Sequence, residues 1–263
     1  MRIFDVSGPT SPSPESSDGG FLDPIGARTR TQDLTFNNAP LLELRDLATT
    51  VQIFRIRERH FRDPENIAPE LEKRDDADLQ LAPGKLPNRH FLGYEMHSQS
   101  AYRWGDAVVK YALFPAGALQ QEDLADREEW AIKEGSQPAQ HRLWLREYFR
   151  SHDAEYELRV QVCEDLAAQS VEDAGTEWDR EKFPFVTVGR VVLHRGQDSW
   201  SAERRAFWDD EMRLNVWYGL EAHRPLGSVN RLRRRLYECS ARNREEINGR
   251  KVGDVGSIEQ IPD

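Results

Sequence analysis

Cysteine is nearly missing. Cys163 and Cys239 are the whole complement of the 263-residue chain. Two thiols build neither a disulfide scaffold nor a zinc module, which wants closely spaced Cys or His pairs. A reducing cytoplasm is therefore the expected compartment. Long apolar runs are missing too. Nothing approaches the roughly 18 residues that span a bilayer, and Met1-Arg2-Ile3-Phe4-Asp5-Val6 lacks the apolar stretch of a secretory signal. No membrane span is expected. Basic charge is in deficit, with 46 acidic residues against 36 Lys plus Arg and a net charge of -10. That balance argues against a nucleic-acid partner, which needs many basic phosphate contacts. There is no Gly-x-Ser-x-Gly elbow, no Gly-x-Gly-x-x-Gly turn and no phosphate loop. A serine hydrolase and nucleotide use are therefore unsupported.

What is present fits one large domain that buries a core, since 38% of residues are hydrophobic. Residues 1–250 are expected to form it, with a Pro/Ser-rich loop over 7–30 and a tail over 251–263. Arg2 to Val6 and Leu41-Leu42-Glu43-Leu44 read as short strands. Leu47, Val51 and Phe54 then recur at helical spacing. The charged stretch from Arg57 to Asn88 is weakly patterned and is expected to wrap the surface. Three strands follow, at Ala107–Phe114, Tyr156–Val162 and Phe185–Leu193, the second alternating strictly as a half-buried strand does. Leu143–Phe149 reads as helix, and Ser201–Asn248 as helix-rich, broken at His223-Arg224-Pro225-Leu226-Gly227. Strands first and helices last indicate α+β.

Arginines crowd the C-terminal segment at Arg231, Arg233, Arg234, Arg235, Arg242 and Arg244, with Glu238, Glu245 and Glu246 interspersed. If Asn230 to Glu246 is helical, about 100° per residue places Arg233, Tyr237 and Arg244 within about 40° of one another. One face then presents guanidinium, phenol, guanidinium. A guanidinium beside a phenol favours its ionised form. A phenolate ligates ferric iron, and a second arginine can hold a carboxylate bidentately. A surface cation–π or salt-bridge cluster has the same spacing, so spacing alone leaves both open.

Several runs, taken in order, resemble the catalase superfamily, and its small catalase-related bacterial branch in particular. Thr31-Gln32-Asp33-Leu34-Thr35-Phe36-Asn37-Asn38-Ala39-Pro40 with Leu44-Arg45-Asp46 looks like that family's D-L-x-x-N-N-x-P…R-D run. His97-Ser98-Gln99-Ser100-Ala101-Tyr102-Arg103-Trp104-Gly105 resembles its Y-x-S-Q-x-x-Y-R-x-G. Val171-Glu172-Asp173-Ala174, Trp178 and Phe185-Val186-Thr187-Val188-Gly189 are similar to its V-E-D-A…W…P-F-V run. His223-Arg224-Pro225-Leu226-Gly227-Ser228-Val229-Asn230-Arg231 resembles H-R-P-L-G-x-x-N-R, and Tyr237 falls where the axial tyrosine falls. The resemblance implies a catalase-like antiparallel β-barrel with flanking and C-terminal helices, enclosing haem b and its iron. By the same resemblance Tyr237 is the iron ligand and Arg233 keeps it ionised. Arg244 binds a haem propionate, and Asn37 orients peroxide.

The segment in which that family carries its distal histidine, the base that moves a proton between peroxide oxygens, has no counterpart here. The barrel is expected to be incomplete accordingly. His97 stands where the family has an aromatic, beside Ser98, and is a weak substitute base. His223 is expected to cap or pack locally, His60 falls where the family runs through a surface helix, and His90, His141, His152 and His194, in bland settings, are expected to be surface or interface residues. The implied function is a haem-dependent oxidoreductase acting on hydrogen peroxide or an organic hydroperoxide. The competing readings are a haem-binding or ligand-binding protein of catalase fold without turnover, and a partner-docking surface on the arginine helix. An incomplete barrel exposes strand edges, which self-association as a homo-oligomer, or the Pro/Ser-rich loop, could cover.

Overall fold

The structure, a computed structural model, describes residues 1–8, 22–122, 139–196 and 201–262. The strands are β1 (Arg2–Ile3), β2 (Gln32–Asp33), β3 (Met96–His97), β4 (Tyr102–Trp104), β5 (Ala107–Pro115), β6 (Ala154–Val162) and β7 (Phe185–Leu193). The helices are α1 (Pro24–Thr29), α2 (Leu47–Arg59), α3 (Ile67–Leu71), α4 (Ala77–Leu81), α5 (Ala118–Glu122), α6 (Gln140–Phe149), α7 (Ala202–Ala206) and α8 (Ser228–Asn248). Most of the Pro/Ser-rich loop lies outside the described residues. Its C-terminal part is helix α1, capped by the Asp23 carboxylate on the Ile25 amide.

Strands β3, β5, β6 and β7 pair antiparallel in that order, with β4 also on β5. Alternation explains the packing. Val109 and Tyr111 of β5 stand beside Val162 and Val160 of β6, and Val109, Tyr111 and Val160 join Leu34, Tyr102, Val216 and Trp217 in the main core. Tyr156 pairs with Val191 and Ala154 with Leu193 of β7, and these cover a second cluster under α6. The opposite face is buried as well. The Gln161 amide donates to the Trp178 and Phe183 carbonyls, and Lys110 donates to the Thr176 carbonyl while lying over the Trp178 ring. Burial lowers the Lys110 pKa to about 8.

The barrel expected from the resemblance does not close. Among the described residues no strand pairs with the outer edge of β7, and β1 and β2 form a separate two-stranded ladder. Leu41–Leu44 is not a strand either. The Leu42 amide donates to the Ala174 carbonyl, and Arg45 turns the chain in the left-handed region, with its guanidinium on Asp173. Helix α2 starts at Asp46, whose carboxylate caps the Thr49 amide. Its helical period is as the sequence indicates, but Leu47, Val51 and Phe54 are exposed while Thr50, Ile53 and Ile56 are buried.

Two features position the segments around α8. The first is Arg2, which meets Asp33 bidentately at 2.7 Å on both oxygens. Both side chains are at most 4% exposed. Arg2 also donates to the Val255 and Arg213 carbonyls, and Asp33 accepts from the Asn215 amide. One buried ion pair thereby joins β1, β2, residues 213–215 and the chain near Val255. The second is Gly227, which precedes α8 at φ 84°. A Cβ there would sit 2.5 Å from the Val171 carbonyl oxygen, so only glycine fits. The preceding Pro225 bridges to Tyr102 of β4.

Replacing Asp33 with alanine leaves Arg2 buried without its counter-charge. The expected loss of stability is about 3–5 kcal/mol, against the roughly 5–15 kcal/mol typical of a domain. Denaturant unfolding reads it, and a loss under about 1 kcal/mol, the range of surface pairs, contradicts the assignment.

Candidate functional site

Helix α8 displays the guanidinium–phenol face that its sequence spacing indicates. Arg233 and Tyr237 are one turn apart, and the Arg233 Nε donates to the Tyr237 Oη at 2.8 Å. The remaining guanidinium nitrogens donate to Asn230 Oδ1 at 3.2 Å and Thr35 Oγ1 at 3.0 Å. Among the described residues Arg233 forms no ion pair with a carboxylate. Its neighbours differ: Arg231 pairs with Glu172, and Arg234 lies over the Trp217 ring. Burial works against the Arg233 charge, yet Tyr102, Tyr237 and Tyr111 around it outweigh that effect and raise its pKa. Tyr111 is pushed the other way from an easily ionised phenol, since burial raises its pKa well above the usual value. Its hydroxyl is held between the Thr35 amide and carbonyl, both at 3.2 Å.

Tyr237 forms part of the walls of two adjoining clefts. The first, ≈ 790 Å³ and partly open to solvent, is lined by Thr35, Asn37, His97, Gln99, Arg233 and Tyr237, together with the apolar side chains of Phe36, Leu44, Phe54, Val229, Leu232 and Leu236. The second, ≈ 670 Å³, is lined by Tyr237, Arg244, Arg213, Trp208 and Met212 among others. The structure thus brings Asn37, Arg233 and Tyr237 onto one cleft and puts Arg244 on the next. Arg244 donates through its two terminal nitrogens to the Asp209 and Met212 carbonyls, while its Nε is buried without an acceptor. Asn37 is exposed. Its backbone bridges to His97, and its carboxamide contacts Gln99 at 3.4 Å and the Asn38 amide at 2.8 Å.

His97 is buried in the wall beside Asn37. Its Nε2 lies 3.4 Å from Glu95 Oε2, and its ring packs on Phe114 and Phe185. Among the other histidines, His223 packs on Trp104. His90 departs from its surface-like sequence setting, for it is buried and stacked on Trp144, and burial lowers its pKa to about 4. Sequence reasoning passed over Thr35 and Asn230 as site residues. Asn230 carried a signal, standing three residues before Arg233 on the same helix. Thr35 carried none, because it meets Arg233 only through the fold.

No family model matches the chain, and no curated protein matches it in sequence. Solved structures do match. A fungal catalase aligns with a TM-score of 0.62 at 16% identity, over 86% of this chain and 47% of its own. Catalase A from Saccharomyces cerevisiae gives 0.55 at 16% identity, over 86% and 49%. A bacterial catalase gives 0.53 at 14% identity, over 86% and 46%. The fold is catalase-like, and the chain spans about half the length of the catalases it matches. Among the described residues no helix is long and apolar enough to cross a membrane.

The Glu95 contact yields a pH prediction. His97, and then Arg180 at 2.8 Å, hold the Glu95 pKa down from 4.5 to about 2. Its stabilising contribution is therefore present above pH 4.5 and is lost as pH falls toward 2. In acid unfolding followed by circular dichroism, Glu95→Gln flattens that part of the stability curve. An unchanged slope between those pH values contradicts the contact.

Proposed function

We propose that this chain binds haem b in the Asn37–Tyr237 cleft, with Tyr237 as the iron ligand, and acts on hydrogen peroxide or an organic hydroperoxide. The observation that carries the reading is the 2.8 Å hydrogen bond from Arg233 to the Tyr237 oxygen, with no carboxylate paired to the guanidinium among the described residues. A cation with only neutral acceptors and phenols around it favours an anionic ligand on the wall it faces. The catalase-like fold supports the same reading.

The residues fit such a group. The cleft wall carries Tyr237 among apolar side chains of α2 and α8, as a largely apolar planar ligand requires. Arg244 lines the adjoining cleft that Tyr237 shares and keeps a buried Nε with no acceptor, and on that side of Tyr237 it would hold a haem carboxylate. When bound, haem supplies the iron centre at which a peroxide O–O bond is cleaved. The chain's own residues supply the rest. Arg233 donates to the oxygen through which Tyr237 would ligate iron, and Asn37 would offer its carboxamide to the peroxide oxygen. His97 is the histidine lining this cleft among the described residues and would move the proton. We place the protein in a reducing compartment, the cytoplasm, because Cys163 and Cys239 are both free thiols.

A second reading, a haem-binding protein of catalase fold without peroxide turnover, is favoured by the state of His97. One ring nitrogen is tied to Glu95 and the ring packs against the Phe114–Phe185 pair, which restrains it as a base. Expression with haem precursor and ultraviolet–visible spectroscopy test the proposal. Wild type is expected to show a ferric Soret band, and Tyr237→Phe to lose it or shift it, with haem retained at least about tenfold less tightly. Folded wild-type protein that takes up no haem overturns the reading. Peroxide consumption by the loaded protein then separates turnover from binding alone.

A further inference from the structure

We infer that Asn230 and Thr35 are positioning residues that fix the Arg233 guanidinium against Tyr237 through neutral acceptors. The inference concerns the pair on which the haem reading rests, but it is tested without haem.

Asn230 is fully buried. Its Nδ2 donates to the Ala101 carbonyl at 3.2 Å and to the Leu226 carbonyl at 2.8 Å. Carbonyl oxygens only accept, so the amide nitrogen belongs on that side and the oxygen on the other. That oxygen takes the Arg233 terminal nitrogen at 3.2 Å and the Ser100 hydroxyl at 3.3 Å. The Asn230 backbone carbonyl accepts from the Trp217 indole at 2.9 Å. Four side-chain contacts thus set one rotamer and one amide orientation, and the group they present to Arg233 is an acceptor without charge.

Thr35 reaches the same guanidinium from 198 residues away in sequence. Its backbone is clamped on both sides by the Tyr111 hydroxyl, and Tyr111 is 1% exposed. The Thr35 side chain therefore meets the second terminal nitrogen of Arg233 from a fixed place. With Asn230 on one terminal nitrogen and Thr35 on the other, the Nε–H is left aimed at Tyr237. An aspartate at either position would offer the guanidinium a competing anion, whereas a carboxamide and a hydroxyl do not.

The test follows the Arg233 Nε–H signal by nitrogen–proton NMR in the haem-free protein, assigned by its loss in Arg233→Lys. Hydrogen exchange of that proton reports whether the guanidinium is held. Thermal unfolding is measured alongside. In wild type the signal is expected to be resolved and protected. Thr35→Val is expected to speed its exchange at least about tenfold, in line with loss of one charge-assisted hydrogen bond, and Thr35→Ser to restore it. Asn230→Ser is expected to act like Thr35→Val. Variants that fold with a lowered melting temperature and an unchanged Arg233 signal overturn the inference, since that is what a merely structural role predicts. If Asn230→Ser does not fold, the Thr35 pair decides alone. Haem uptake fails or succeeds in a separate measurement, so the two proposals can fall independently.

Discussion

The charge of Arg233 is the constraint around which the cleft is arranged. A part-buried guanidinium is costly unless its hydrogen bonds are satisfied and its charge is answered. Here the bonds are satisfied by Tyr237, Asn230 and Thr35, and the phenols of Tyr102, Tyr111 and Tyr237 surround the charge with no carboxylate paired to it among the described residues. Two of those phenols, Tyr102 and Tyr111, are sealed in the main core. Tyr237 alone among them stands on the cleft wall. An interaction that could have ended in a surface ion pair is directed instead at the oxygen of a cleft-lining tyrosine.

Everything else holds that arrangement in register. Arg2 and Asp33 lock the start of the run that delivers Thr35 and Asn37 to the cleft. Gly227 and Pro225 set α8 against β4, so that Asn230 falls under the Ala101 and Leu226 carbonyls. Strand β5 reaches the site through Tyr111, whose hydroxyl holds Thr35. The Asn37 backbone bridge to His97 closes the far side. The site therefore depends on contacts between segments far apart in the chain.

That dependence explains what could be read in advance. Strands β5, β6 and β7 announce themselves by β-branched alternation, and the bounds expected for β7 agree with those observed. The helix bearing Arg233, Tyr237 and Arg244 was legible because its face is a matter of local period. Helix α2 was legible by the same local period at Leu47, Val51 and Phe54, but which of its faces is buried is a matter of packing, and packing chose Thr50, Ile53 and Ile56. Leu41–Leu44 has strand composition, yet a left-handed Arg45 and the Ala174 backbone draw it into a turn. Thr35 was invisible as a partner because no local pattern links it to α8. The catalase-like fold was legible in motifs taken in order along the chain, and solved catalases at 14–16% identity share it, while barrel closure, a property of the pairing of all strands, was not.

The central claim is that the oxygen of Tyr237, held by Arg233, is the ligand this cleft offers to iron. A crystal structure of the chain grown after loading with haem tests it most directly. The account predicts haem in the Asn37–Tyr237 cleft, iron bonded to the Tyr237 oxygen, and Arg233 still donating to that oxygen. Haem bound elsewhere, or iron held by a different side chain while Tyr237 stays free, would contradict it.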